Sequence, residues 1–75
     1  MSRLIDLKPG ESARIVDLDG EQALVQRLLE MGLTDGEVVE VVRYAPMGDP
    51  LEVRIRGYNL SIRRSEAAAI LIDKA

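Results

Sequence analysis

From residue 51 to 63 the chain alternates. Leu51, Val53 and Ile55 are apolar and Glu52, Arg54 and Arg56 are charged, a period of two that predicts a strand buried on one face only. Gly57-Tyr58 reads as a two-residue type II′ turn, with glycine at the position that needs positive φ. That register sets Ile55 against Leu60 and Val53 against Ile62 on the inner face, and Arg54 against Ser61 and Glu52 against Arg63 on the outer face. Every pair matches in polarity, and a slip of one residue would mismatch them all.

The period changes once. Ala23, Leu24, Val25, Leu28, Leu29 and Met31 follow helical spacing with a broad apolar stripe, with Gln22, Gln26, Arg27 and Glu30 filling most of the remainder. Asp19 followed three residues later by Gln22 has the form of a capping box. At the other end, Gly32 supplies a left-handed stop and Leu33 folds back onto Leu28. The pattern predicts one α-helix over about residues 20–31.

The rest of the chain reads as short strands and tight turns. Pro9-Gly10 favours a type II turn, and residues 12–18 form a strand with Ala13 and Ile15 on one face and Arg14, Val16 and Leu18 on the other. Thr34-Asp35-Gly36 makes a second turn into a β-branched strand over 37–44. The two strand entries echo each other: each has Leu, then Gly three residues on, then Glu, then β-branched residues. Ser65 caps a short helical turn near 65–68, and residues 69–72 give a last strand. About five strands with one inserted helix predict a mostly β chain, a small SH3-like antiparallel barrel in a single domain over residues 1–75. Closure would remove the exposed edges of strands rich in Val and Ile.

Composition narrows the chemistry. The core must come from Val, Ile, Leu, Met and Ala, because the only aromatics are two tyrosines. There is no Cys and no His, which removes the commonest ligands for zinc, copper and iron and most nucleophile–base mechanisms. The chain is therefore expected to be no enzyme and to hold no tightly bound cofactor or metal. A net charge of -3 argues against bulk attraction to nucleic acid. No stretch reaches the roughly 20 apolar residues of a membrane helix, and Asp6 and Pro9-Gly10 interrupt any signal-peptide core, so a cytoplasmic protein is expected.

Four features stand out as candidate sites. Gly48-Asp49-Pro50 lacks the glycines, lysine and following helix of a phosphate loop, and reads as a rigid turn with Met47 at its tip, able to dock on a partner. Asp17-Leu18-Asp19-Gly20-Glu21 suggests a calcium loop, but Ala23, Val25 and Leu28 stand where the ligand pattern should continue. On the helix, Leu24, Leu28 and Met31 share the face that covers the barrel. Val25 and Leu29 widen that stripe beyond what a small barrel hides, leaving apolar surface, with Arg27 beside it, for a partner. Arg54, Arg56 and Arg63, with Arg64 and Arg43 nearby, make a local positive face suited to an acidic protein surface or to lipid headgroups. No aromatics lie between these arginines, so the face offers no stacking platform for single strands.

Taken in order, several blocks resemble the FeoA family along nearly the whole chain. They are Leu7-Lys8-Pro9-Gly10-Glu11, the helix end Arg27-Leu28-Leu29-Glu30-Met31-Gly32-Leu33, then Ala45-Pro46-Met47-Gly48-Asp49-Pro50, and Leu60-Ser61-Ile62-Arg63-Arg64 running into Glu66-Ala67. The resemblance implies an SH3-like barrel and an accessory role in bacterial ferrous-iron uptake. It implies binding to the cytosolic part of FeoB, a membrane permease with a GTP-binding domain, with Fe(II) as the partner's cargo. The same module resembles the C-terminal SH3-like domain of diphtheria-toxin-repressor-type regulators, so a free-standing module that senses a transition metal or binds a peptide is the alternative. The partner-facing residues expected from these readings are Leu24, Arg27, Leu28, Met31, Met47, Asp49, Arg54, Arg56 and Arg63.

Overall fold

The computed structural model describes residues 2–74. Six strands form one sheet: β1 (Ser2–Arg3), β2 (Ser12–Leu18), β3 (Val38–Tyr44), β4 (Leu51–Ile55), β5 (Tyr58–Ile62) and β6 (Ile70–Lys74). They run in the order β1-β6-β2-β3-β4-β5, with every neighbouring pair antiparallel. A 3₁₀ turn covers Leu4–Asp6, helix α1 covers Gln22–Glu30 and the four-residue helix α2 covers Arg64–Ala67. The expected mostly β, SH3-like architecture is present. The sixth strand is the two-residue β1, too short to show as a pattern.

Alternation explains the core. In β4, Leu51, Val53 and Ile55 are buried while Arg54 faces out, and in β2, Ala13 and Ile15 are buried while Arg14 is exposed. Leu4 and Leu7 enter the same core from the 3₁₀ turn and the residue after it. A bulge between Ile15 and Asp17 in β2, and another between Val41 and Arg43 in β3, bend the sheet.

The echo between the two strand entries has a physical basis. Gly10 donates to the Val41 carbonyl (2.7 Å) and Val41 to the Glu11 carbonyl (3.0 Å). Reciprocally, Gly36 donates to the Ile15 carbonyl (2.7 Å) and Ile15 to the Glu37 carbonyl (2.9 Å). The two Leu-x-x-Gly-Glu segments thus clasp each other about a local two-fold axis through the Ala13–Val39 pair.

Three expectations are corrected. First, β4 and β5 pair Val53 with Leu60, Leu51 with Ile62 and Ile55 with Tyr58, so the register lies two residues from the one expected. The turn is Arg56-Gly57, with φ of +53° and +82°, the double left-handed geometry of a type I′ turn. A shift of two preserves which face each side chain takes, so polarity matching alone could not separate the two registers. Second, α1 starts at Gln22 with Glu21 as its N-cap residue and no side-chain cap. Asp19 does not cap: its N–H donates to the Ala69 carbonyl (2.7 Å) and its carboxylate pairs with Arg3 (3.2 Å). Third, α2 begins at Arg64, and Arg63 rather than Ser65 is the N-cap residue.

The C-terminal end of α1 follows the expected course. Leu33 N–H donates to the Leu28 carbonyl and Gly32 N–H to the Leu29 carbonyl, both at 3.0 Å, the paired bonds of a Schellman motif. Gly32 sits at φ +89°, and a Cβ there would lie 2.8 Å from the Tyr58 hydroxyl. That hydroxyl donates to the Met31 carbonyl (3.1 Å), and Arg27 Nε lies 3.5 Å from Glu66 Oε2, so the C-terminal half of α1 is tied to the first residue of β5 and to α2. Among the described residues the sheet ends, β1 and β5, are not hydrogen-bonded to each other. At two residues, β1 is too short an edge to template further pairing.

Candidate functional site

The expected partner-facing residues fall into two groups. On α1, Leu28 is fully buried and belongs to the core, Leu24 and Met31 are half-buried against it, and Leu29 remains 40% exposed. Arg27 is exposed and faces Glu66, whose side chain is nearly fully buried. Glu66 Oε1 accepts the Arg63 N–H (2.8 Å), while Oε2 has no hydrogen bond, its approach to Arg27 being a charge contact only. Sequence reading passed over this carboxylate. The signal was present: Arg63 and Glu66 stand at N-cap and N3 spacing, where a glutamate turns back on the chain.

The second group surrounds the 45–50 loop and the β4–β5 hairpin. The loop is closed by Ala45 N–H donating to the Pro50 carbonyl (2.9 Å) and Gly48 N–H donating to the Ala45 carbonyl (2.7 Å). Met47 at its tip is 91% exposed, as expected of a projecting contact. Asp49 is exposed and accepts the Arg64 N–H at 3.1 Å, so it anchors the loop to the start of α2. The Asp49–Pro50 peptide bond is cis.

Beneath the loop lies an open groove of about 440 Å³. Pro46 and Pro50 form a wall, and Arg43, Glu52, Asn59 and Ser61 contribute polar groups. Glu52 is already engaged twice, accepting from Arg43 Nε (2.9 Å) and from Asn59 Nδ2 (2.6 Å). Arg54 donates to Asn59 Oδ1 (3.1 Å). Glu52 therefore pairs with Arg43, not with Arg63, a consequence of the changed register.

Arg56 is drawn away from this groove into an ion pair with Glu37 (2.6 Å). The hydrogen bond from Arg56 holds the Glu37 carboxyl below its ordinary value, and the same contact raises the guanidinium's. Tyr44 moves the other way: burial pushes its phenol above the usual range. Its hydroxyl donates to the Leu7 carbonyl (2.7 Å) and lies 3.2 Å from that of Ile5. The groove thus presents hydrogen-bond donors and an ion-paired carboxylate beside a proline wall.

Comparison with known proteins agrees with this geometry. The FeoA domain family matches residues 2–74. A fusion protein of Porphyromonas gingivalis, Fe(2+) transport protein A joined to the Fe(2+) transporter FeoB, is 42% identical over 71 residues, 95% of this chain and 8% of that one. The chain thus spans less than a tenth of that curated relative. Among solved structures, FeoA of Chlorobium tepidum superposes with a TM-score of 0.89 at 38% identity, covering 97% of this chain and 70% of that one. Stenotrophomonas maltophilia FeoA, solved with zinc and described as an SH3 domain protein, gives 0.84 at 30% identity, with 97% and 91% covered. A manganese-dependent transcriptional repressor gives 0.91 at 13% identity over 99% of this chain and 36% of that one, a likeness of fold alone.

Proposed function

The chain belongs to the FeoA family, and from that premise we propose that it is a non-catalytic accessory protein of ferrous-iron uptake. In this reading it works in the cytoplasm, binds the cytosolic part of a FeoB-type permease and supports Fe(II) transport, the ion being the permease's cargo. The observation that carries this reading is the fusion in Porphyromonas gingivalis, where a homologous segment and the transporter share one polypeptide. Covalent linkage holds two modules at high effective concentration, an arrangement that suits modules which act together.

The site supports binding over chemistry. Its polar groups bond to one another, and its most exposed apolar side chain, Met47, is an adaptable contact residue. Of the expected contact residues, Arg27, Met47, Asp49, Arg54, Arg56 and Arg63 are exposed, and Leu24 and Met31 are half accessible. Leu28 is core, and Asp49 also anchors its loop. No helix is long and apolar enough to cross a membrane among the described residues. The metal-sensing alternative draws on the repressor likeness, which is one of fold. Co-purification of the tagged chain with its host's permease tests the adaptor reading. Retention of the permease through washing is expected, and its absence, with normal Fe(II) uptake after deletion of the chain, overturns the reading.

A further inference from the structure

We propose that the groove beneath the 45–50 loop is a docking site for an extended, acidic segment of a protein partner. The chain carries a net charge of -3, yet most of the cations without an acidic partner among the described residues stand in one region, Lys8 and Arg14 being the exceptions. Arg3, Arg27, Arg43 and Arg56 have acidic partners, and Arg14 donates to the Gly36 carbonyl. Arg54, Arg63 and Arg64 have no acidic partner among the described residues; none lines the groove itself, and each is joined to its surroundings through a residue of the lining or of the 45–50 loop. Arg54 is hydrogen-bonded to Asn59 in the groove lining. Arg63, extended at the N-cap of α2, lies two residues beyond the groove's Ser61, and Arg64 Nη1 reaches the Gly48 carbonyl of the loop at 3.4 Å.

The layout selects an extended occupant. Arg54 stands beside Asn59, and Asn59 is four residues from Arg63, so the two backbone positions are roughly 13 Å apart along the chain direction. An extended segment running along the same direction repeats its face every second residue, so carboxylates at i and i+4 meet both arginines. The proline wall and Met47 then cover the apolar residues between, and Asn59 and Ser61 offer hydrogen bonds to its backbone. This deepens the adaptor reading and rests on it only for which protein supplies the segment.

The test has two arms. In the first, the ¹⁵N-labelled chain is titrated with a capped Gly-Glu-Leu-Glu-Leu-Glu-Gly peptide, with its lysine counterpart, and with phosphatidylglycerol vesicles. Saturable shifts of the Met47, Glu52, Asn59 and Ser61 amides with the acidic peptide are expected. An Arg54→Gln/Arg63→Gln variant whose spectrum remains dispersed should weaken this binding at least about tenfold. Equal response to the lysine peptide, shifts confined to other surfaces, or a response to vesicles alone overturns the proposal. In the second arm, the cytosolic part of the host's permease replaces the peptide. Loss of its binding in the double variant supports the site, and binding unchanged by the variant overturns the site while leaving the adaptor reading intact. If the permease part binds neither protein while the acidic peptide still binds the groove, the adaptor reading fails and the site stands.

Discussion

Tyr44 shows how one side chain can join distant parts of a small protein. Its hydroxyl ties β3 to the carbonyls of Leu7 and Ile5, at the turn that precedes β2. Tyr44→Phe leaves those part-buried carbonyls without their donor, and should cost about 1 kcal/mol in chemical denaturation. Burial raises the folded phenol's pKa, so the folded state holds its proton longer than the unfolded chain. The contribution is complete below the ordinary value of 10.0 and is lost as pH rises through the folded value, so the gap between wild type and Tyr44→Phe should narrow above that pH. Glu37 has the opposite sign. The Arg56 hydrogen bond lowers its pKa, giving a contribution that is present above the ordinary value of 4.5 and is lost on acidification through the folded value. Melting temperatures of wild type and Glu37→Gln, measured from pH 7 downward, should therefore converge as pH falls below that value.

At the scale of the element, the hairpin turn makes a specific demand. Arg56 occupies left-handed backbone at φ +53°, where a branched or long side chain is strained and asparagine is tolerated. Arg56→Asn should raise stability by roughly 0.5 kcal/mol, even though it removes an exposed ion pair worth little. Had the turn been Gly57-Tyr58, no such gain would follow, so the sign of the change in denaturation midpoint reports the register. Helix α1 divides its apolar residues unequally: Leu28 is fully buried and Leu29 is 40% exposed. Leu28→Ala should cost about 2–4 kcal/mol, while Leu29→Ala should stay within about 0.5 kcal/mol. Equal costs from the two would mean that the helix packs on a different face.

Over the whole molecule, the sequence revealed what repeats and obscured what depends on a single contact. Alternation in 51–55, the helical stripe from Ala23 to Met31 and the Gly32 stop each involve several residues in agreement, and each was legible. The hairpin register was not, because a shift of two residues conserves every face and only the preference for two left-handed positions separates the choices. Asp19 looked like a cap because a cap is a local rule. Arg3 and Ala69, far away in sequence, hold it in another role. The candidate site was half legible: Met47, Arg54 and Arg63 were singled out, while the burial of Glu66 and the bond from Arg64 N–H to Asp49 depend on where α2 sits. The matched Leu-x-x-Gly-Glu segments were visible as an echo, but their mutual clasp required the fold.

Calorimetric titration of the folded chain against the cytosolic part of its host's FeoB-type permease, repeated at rising salt, decides whether the chain is an adaptor. Saturable binding is expected, weakening as ionic strength screens Arg54, Arg63 and Arg64. A dispersed, fully folded chain that gives no binding heat and no co-migration with that permease part at any salt concentration would contradict it.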